Sequence, residues 1–349
     1  MKIVKACSSP EESRLMHAAL ADFSRDGARA AYAKWLGARG DEVRARAVLA
    51  TIEAFESLEP SSLDDLGVDF RWARMIAAPL LSTMVQARAD HKADDLRRLR
   101  DLVFPRILAS LSLSYSPCTT APKIGTSYLW GLPDLPEGEA WPRAGSLSDW
   151  FGAKAKLPHE QHAAFLGQIA FQDLQETVLG QELPIDGGFA VFAITEVENL
   201  GIVETLVRPW SRKDTLTRRS APPDLVEDKL GDSANSPKPF HTIELEETLS
   251  LPDAISGPAA NEIPGCAYGG RFYDLYTDLM DASGAEVLGI GGYLRGTSGQ
   301  DPSPDTSHLR LVVLRNTPEA GLLHFAIPAA DLKTGHVDAV RYVGNDWDS

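Results

Sequence analysis

The sequence has few cysteines and no long run of apolar residues. Its 349 residues include three cysteines at widely separated positions, Cys7, Cys118 and Cys266. Their number and spacing exclude a disulfide framework and a structural zinc site, and they are typical of a protein in a reducing cytosol. No stretch reaches the roughly 18 apolar residues of a membrane span, and the first residues lack the apolar core of a signal peptide. We therefore expect a cytoplasmic protein without a membrane segment.

Excess positive charge is also lacking, most of all in the later part of the chain. Residues 1–112 hold 17 basic and 16 acidic side chains, whereas residues 113–349 hold 17 basic and 33 acidic ones. The later part therefore carries a net charge of −16, and the first part carries +1, which together give −15 for the whole chain. A negative field of this kind repels phosphate backbones and favours a basic protein partner, so we expect no binding to nucleic acid.

Signatures of catalysis and metal binding are incomplete. Residues 291–298 have the glycine spacing of a phosphate loop, but Thr297 stands where that loop needs a lysine. His159 and His162 are one residue too close for the metalloprotease motif, and no third ligand can be assigned. Cys266 lies outside any cysteine-protease signature. We expect no metal and no cofactor, and a hydrolase that uses Cys266 or a histidine is the alternative hypothesis.

Apolar residues recur at helical spacing through the first third of the chain. Ser9 and Pro10 predict the start of the first helix, and Gly40 predicts the end of the second. A last apolar face runs from Leu96 to Leu111, with a bend at Pro105. The predicted helices cover residues 11–24, 27–38, 42–58, 70–89 and about 96–111, which together form a helical domain at 1–112.

After Tyr115 the pattern changes to short apolar runs separated by proline and glycine. Runs of four to eight residues of this kind predict buried β-strands. The predicted fold class is therefore α+β. A helical N-terminal domain is followed, at residues 113–349, by a domain with a mixed, mainly antiparallel β-sheet.

The β-rich part contains a possible internal duplication. The segment 124–131 is similar to 290–296, and each is followed by two apolar strands, at 165–171 and 188–194 or at 309–314 and 321–327. Two related sheet halves would form a cleft, which is a common place for a ligand. The residues expected to line that cleft are Tyr128, Trp130, Gln168, Tyr293 and Arg295. The alternative is that the two tyrosines pack in the core and that Arg295 pairs with a nearby acid.

Three segments resemble the signature of the YwqG-like family of uncharacterised bacterial proteins. They are a Lys-Ile-Gly stretch at 123–125 with a Leu-Pro to Trp-Pro turn at 132–142, a Phe-Leu-Gly-Gln-Ile strand at 165–169, and an LP-x-x-G-x-x-x-F pattern beginning at 183. A looser C-terminal match brings the resemblance to about 120–345. It implies an α+β fold and no transferable activity, with roles such as immunity in toxin systems suggested by association.

The segment at about 12–50 resembles a second family, the repeat-companion domain of some bacterial proteins. The resemblance rests on Asp26, Arg29, Tyr32-Ala33, Trp35-Leu36 and Arg39-Gly40-Asp41. It carries no known activity either. Together these observations favour a non-catalytic accessory or immunity-type factor that binds a basic protein or a small ligand. The alternative is a hydrolase or other small-molecule enzyme that acts in the cleft between the two sheet halves.

Overall fold

The computed structural model describes residues 1–24, 26–59, 63, 66–143, 162–184, 186–195, 202–222, 225, 239–255, 258–286, 288–293, 308–315, 322–334, 336 and 339–346. Within these ranges the α+β class is confirmed, because the helices gather in the first third of the chain and most strands follow. Two of the residues considered above as candidate site residues, His159 and Arg295, lie outside the described residues.

Six of the helices come before the first long strand. Helix α1 begins where predicted, because the Ser9 hydroxyl accepts a hydrogen bond from the Glu12 N–H at 3.2 Å and Pro10 occupies the first turn. Gly40 follows α2 in the left-handed conformation, with φ of 81°. None of the helices in the described ranges is both long and apolar enough to cross a membrane. The helices are α1 Pro10–Ala21, α2 Ala28–Ala38, α3 Glu42–Ser57, α4 Phe70–Met75, α5 Ala78–Gln86, α6 Ala93–Val103, α7 Tyr273–Ser283 and α8 Ala329–Thr334.

Two of the predicted helices were wrong in extent. The helix predicted at 70–89 is divided into α4 and α5 by Ala77, whose φ of 59° is incompatible with a continuous helix. The helix predicted to reach Leu111 ends at Val103, and a 3₁₀ turn at Phe104–Arg106 leads into a strand. Pro105 has no N–H to continue the helix, and the next apolar residues alternate in a strand instead.

Eleven strands form one sheet. Its order is β13-β12-β11-β10-β2-β9-β3-β5-β6-β7, with β1 added in parallel to β9, and β4 and β8 form a separate pair. The strands are β1 Lys2–Val4, β2 Leu108–Pro117, β3 Tyr128–Leu129, β4 Asp134–Pro136, β5 Ala164–Ala170, β6 Gly188–Thr195, β7 Ile202–Trp210, β8 Leu216–Arg218, β9 His241–Ser250, β10 Gly289–Ile290, β11 His308–Arg315, β12 Leu322–Pro328 and β13 Arg341–Asp346.

The sheet has two similar halves on either side of the central pair β2–β9. Strands β3-β5-β6-β7 form one half and β10-β11-β12-β13 the other, each antiparallel throughout. In each half the second strand bulges at one residue, Leu166 or Leu311. The carbonyl of that residue accepts a hydrogen bond from the first of two left-handed residues, Trp130-Gly131 or Gly291-Gly292. The expected repeat is therefore present as a structural repeat.

The register of this repeat differs from the predicted one. The strand pairing aligns Tyr128-Leu129 with Gly289-Ile290, because these are the residues that pair with the second strand of each half. The sequence comparison had instead matched Tyr128 with Tyr293, four residues further along. Tyr293 follows the second left-handed pair and is not the structural counterpart of Tyr128.

The helices and the sheet share one hydrophobic core. A single buried cluster contains Met16 and Leu36 from the helices together with Leu111, Leu245 and Phe325 from the sheet. A second cluster, around Tyr128 and Phe192, lies against the first half of the sheet. The domain boundary expected after residue 112 falls inside β2, one of the two central strands.

Candidate functional site

Two of the residues predicted to line a cleft, Tyr128 and Gln168, are opposite each other on β3 and β5. Both are fully buried. The Tyr128 hydroxyl donates to the Leu132 carbonyl at 2.6 Å. The Gln168 amide donates to the Thr126 carbonyl at 2.8 Å and to Asp134 Oδ2 at 3.0 Å, and its oxygen accepts from the Asp134 N–H. These bonds hold the loop between β3 and β4 against the sheet, which is a structural role.

The structure does not bring the side chains of Trp130 and Tyr293 to those of Tyr128 and Gln168. Trp130 is buried in the other cluster, with its ring edge-on to Tyr115 at 4.9 Å and to His241 at 4.5 Å. Tyr293 follows β10, which is separated from β3 by β2 and β9. Its N–H donates to the Ser250 hydroxyl, and burial raises the pKa of its phenol to about 12.

The environment of Cys266 does not suit a nucleophile. The thiol is fully buried, and that burial raises its pKa to about 12, so it stays protonated near neutral pH.

His162 accepts a hydrogen bond from Arg143 Nε at 2.8 Å, so its Nε2 carries no proton. Across the part of the chain that the structure describes, no group of three or more histidine, cysteine or acidic side chains could hold a metal ion.

The loop that contains Cys266 presents Tyr268, the most exposed large aromatic residue among those described. The Phe272 N–H donates to the Gly265 carbonyl at 2.8 Å, and the Gly270 N–H donates to the Ala267 carbonyl at 2.7 Å. A Cβ at Gly270 would lie 2.3 Å from the Gly265 oxygen, so the turn requires glycine there. Tyr268 is 84% exposed at the tip of this closed turn.

Helix α7 continues directly from this loop. Its first residue, Tyr273, has its ring edge-on to the ring of Tyr268 at 5.2 Å. The helix buries Leu275, Tyr276 and Leu279, and the Tyr276 hydroxyl donates to the Pro252 carbonyl at 2.6 Å. This amphipathic pattern determines which face of α7 points outward.

The outward face of α7 is acidic. Asp274, Asp278 and Asp281 are exposed and follow one another at spacings of four and three, so they form one stripe. None of these carboxylates has a basic partner among the described side chains, and the nearby Arg271 pairs with Asp95 at 3.0 Å. Like charges at this spacing destabilise a helix by about 0.2–0.5 kcal/mol per pair. The arrangement thus lowers the stability of the free protein without a compensating contact.

We call Tyr268, Tyr273, Asp274, Asp278 and Asp281 the Tyr268–α7 surface. This surface was not predicted from the sequence, although Tyr268 lies in the same glycine-rich segment as Cys266, which was a candidate nucleophile. Two signals could have identified it. One is an aromatic residue between turn-forming glycines, and the other is the alternation of aspartates with Leu275, Tyr276 and Leu279 at helical spacing.

Comparison with protein-family models and with curated proteins finds no match to this chain. The resemblances to the YwqG-like family and to the repeat-companion domain therefore stay predictions.

Proposed function

We propose that this protein is a non-catalytic, accessory or immunity-type binding factor that docks a basic protein partner on the Tyr268–α7 surface. The observation that carries the proposal is the exposed Tyr268 ring on a closed turn, next to a stripe of three carboxylates that have no basic partner among the described side chains. A cytoplasmic setting is part of the proposal, and the three free thiols support it.

Both the tyrosine and the carboxylates of this surface favour a basic protein partner. Tyrosine is enriched among interface residues that contribute most to binding energy, and a ring held in place loses little conformational entropy on binding. Guanidinium and ammonium groups are attracted to the faces of such rings and to the adjacent carboxylates. The net charge of −15 would in addition accelerate the approach of a positively charged protein.

The alternative, a hydrolase that uses Cys266 or a histidine, has less support. The Cys266 thiol is fully buried, so it is not open to a substrate, and its raised pKa keeps it protonated near neutral pH. The residues expected to line the catalytic cleft hold loops and strands together instead, with Arg295 outside the described ranges.

Affinity capture followed by quantitative binding tests this proposal. The immobilised full-length protein is used to isolate partners from an extract of the cells that make it, and each captured protein is purified for measurement of its Kd. We expect a partner of positive net charge whose Kd rises at least about tenfold with Tyr268→Ala, a loss of roughly 1.4 kcal/mol. Asp274→Asn/Asp278→Asn/Asp281→Asn should slow its association and weaken the dependence of the rate on NaCl.

Matched control variants show whether an effect on the Kd is specific to the Tyr268–α7 surface or follows from removing any exposed side chain of the same kind. Phe70→Ala removes another exposed aromatic ring, and Asp94→Asn removes another exposed carboxylate, and neither should change the Kd. If no basic protein is captured, or if its Kd is the same for Tyr268→Ala and the wild type, the proposal is wrong.

A further inference from the structure

A pocket of about 260 Å³ opens where α1, α3 and the turn after α6 meet. It lies at the end of α1, beside the last turn of α3. The residues that line it are Ala21, Asp22, Phe23, Ser24, Phe55, Glu56, Phe104 and Pro105. This set is apolar except for one hydroxyl and two carboxylates, and it includes no basic side chain.

The aromatic wall of the pocket is held in place by the protein itself. Phe23 and Phe55 are stacked with their centroids 4.7 Å apart, and Phe104 is edge-on to Phe23 at 5.2 Å. The Arg29 guanidinium lies 3.6 Å from the centre of the Phe23 ring, and that of Arg100 lies 4.5 Å from the centre of the Phe55 ring. Because these contacts exist without a ligand, the wall is preformed and binding costs little reorganisation.

The two arginines that support this wall already have other partners. Arg29 is fully buried and donates to the Ala19 and Ile76 carbonyls and to the Thr51 hydroxyl. Arg100 pairs with Asp101 at 2.7 Å and also donates to the Phe55 carbonyl. Neither arginine is among the described residues that line the pocket, and the charged side chains within that described set are the carboxylates of Asp22 and Glu56.

Asp22 provides an oriented negative charge at the rim. Its Oδ1 accepts from the Ser24 N–H at 2.9 Å and from the Ser24 hydroxyl at 2.6 Å, and its Oδ2 accepts from the Ala28 N–H at 2.9 Å. The hydrogen bonds from Ser24, followed by that from Ala28, lower the pKa of Asp22, so the carboxylate is ionised at neutral pH. A carboxylate has about four acceptor positions, so Asp22 can accept one more bond from an ammonium group.

We infer that this pocket binds a small primary amine with an aromatic or branched aliphatic body. The body packs against Phe23, Phe55 and Phe104, and the ammonium group binds the carboxylate of Asp22 at the rim. This inference uses none of the residues of the Tyr268–α7 surface, so it stands or falls independently of the proposed function.

A titration of the full-length protein with three probes that share a phenylethyl body tests the inference. Phenethylamine fills the aromatic wall and carries the ammonium group, 2-phenylethanol removes the charge, and 3-phenylpropionate reverses it. For a ligand of this size we expect saturable binding of phenethylamine with a Kd on the order of 0.1–1 mM by calorimetry or ligand-observed NMR. The alcohol should bind at least about tenfold more weakly, and the acid should not bind measurably, as expected for a charge-assisted bond.

Variants assign the binding to the pocket. Asp22→Asn keeps the bonds from Ser24 but removes the charge, and Phe55→Ala removes part of the wall, so each should raise the Kd for phenethylamine at least about tenfold. Glu56→Gln gives a second test of the acidic rim if Asp22→Asn does not fold. Asp26→Asn, a nearby exposed acid that does not line the pocket, and Tyr268→Ala should leave the Kd unchanged.

Three results would overturn the inference. The first is no saturable binding of phenethylamine up to about 20 mM, well above the affinity expected for its size. The second is equal binding of 3-phenylpropionate. The third is a Kd for phenethylamine that neither Phe55→Ala nor the removal of a rim carboxylate changes.

Discussion

Glu12 is the acidic residue that connects the N-terminal segment with the first three helices. Its carboxylate accepts from the Ser8 N–H at 2.8 Å, from the Ser8 hydroxyl at 2.6 Å and from the Tyr32 hydroxyl at 2.8 Å, and it pairs with Arg44. Burial raises the pKa of Glu12, but the hydrogen bonds from Ser8 and Tyr32 and the charge of Arg44 outweigh this effect. The pKa of Glu12 in the folded protein therefore lies below its ordinary value.

We predict that Glu12→Gln lowers the free energy of unfolding at pH 7 by about 3 kcal/mol, because it leaves Arg44 without its buried partner. Because the pKa of Glu12 is lower in the folded protein than in the unfolded chain, its carboxylate stabilises the fold fully at pH values above the unfolded pKa. This contribution is lost as the pH falls through the pKa of Glu12 in the folded protein. The difference between wild type and variant should thus shrink in acid. Urea unfolding between pH 7 and pH 3 measures it.

The neighbouring Glu11, whose carboxylate pairs with Arg39 at the surface, is the control for this prediction. Glu11→Gln should change the free energy of unfolding by less than about 0.5 kcal/mol at every pH, as is usual for exposed pairs. A Glu12→Gln effect that is small at pH 7, or that does not depend on pH, would contradict the role given to this residue.

Single residues could be predicted from the sequence where local chemistry decides, and not where the fold decides. Ser9 caps α1 and Gly40 takes the left-handed conformation because these roles depend on a few adjacent residues. Tyr128 and Tyr268 both stand near glycines in aromatic-rich segments, yet one is buried and the other is exposed. Tyr128 is buried because β3 pairs with β5, whereas Tyr268 is exposed because it lies at the tip of a closed turn. Neither arrangement can be predicted from the residues next to these tyrosines in the sequence.

At the scale of elements, the two sheet halves share a pair of left-handed residues after their first strand. Gly131 has φ of 78°, and a Cβ there would lie 2.3 Å from the ring of Phe240. In the other half Gly292 has φ of 74°, and its Cβ would lie 2.5 Å from that of Ser250. Each of these two positions requires glycine for two reasons, the left-handed backbone conformation and the close approach of a neighbouring side chain.

We predict that Gly131→Ala lowers the free energy of unfolding by about 3 kcal/mol, through backbone strain of roughly 1 kcal/mol and overpacking against Phe240. Gly138→Ala is the matched control, because Gly138 has φ of 83° and nothing within 4 Å of a Cβ. It should cost only the backbone strain. Urea midpoints of the two variants give the comparison, and equal losses would mean that the approach of Phe240 does not constrain the turn.

Most elements, but not their pairing, could be predicted from the sequence. The apolar runs after Tyr115 correspond to β3, β5, β6, β7, β11, β12 and β13. Strand β9, which lies at the centre of the sheet, was not predicted, because it carries Glu244, Glu246 and Glu247 among its apolar residues. Glu247 can be buried there since the Ala6 and Val178 N–H groups donate to it, and both donors come from distant parts of the chain. Such long-range compensation leaves no local pattern.

At the scale of the whole molecule, the helical part and the sheet are joined by strand pairing and by polar bonds as well as by the shared core. Strand β1 pairs with β9, and Glu247 of β9 accepts from the Ala6 N–H at 2.6 Å. The Ser13 hydroxyl of α1 donates to the Glu176 carbonyl at 2.9 Å, in the segment between β5 and β6. These contacts couple the start of the chain to residues more than 160 positions away.

We therefore predict that the helices and the sheet unfold together, although a chain of 349 residues often unfolds in stages. Trp35 and Trp72 lie in helices, so a Trp35→Phe/Trp72→Phe variant is used, in which the buried residues Trp130 and Trp210 of the sheet region still fluoresce. In this variant the helix content at 222 nm and the tryptophan fluorescence should show the same urea midpoint. Leu36→Ala, which opens a cavity among the helices, should cost about 3 kcal/mol and lower both midpoints equally. If Leu36→Ala shifts only the helical signal, the helices form an independent folding unit, and the division expected near residue 112 has a physical basis. If both signals shift together, the shared core makes the chain one cooperative structure, because loss of packing in the helices then destabilises the sheet directly.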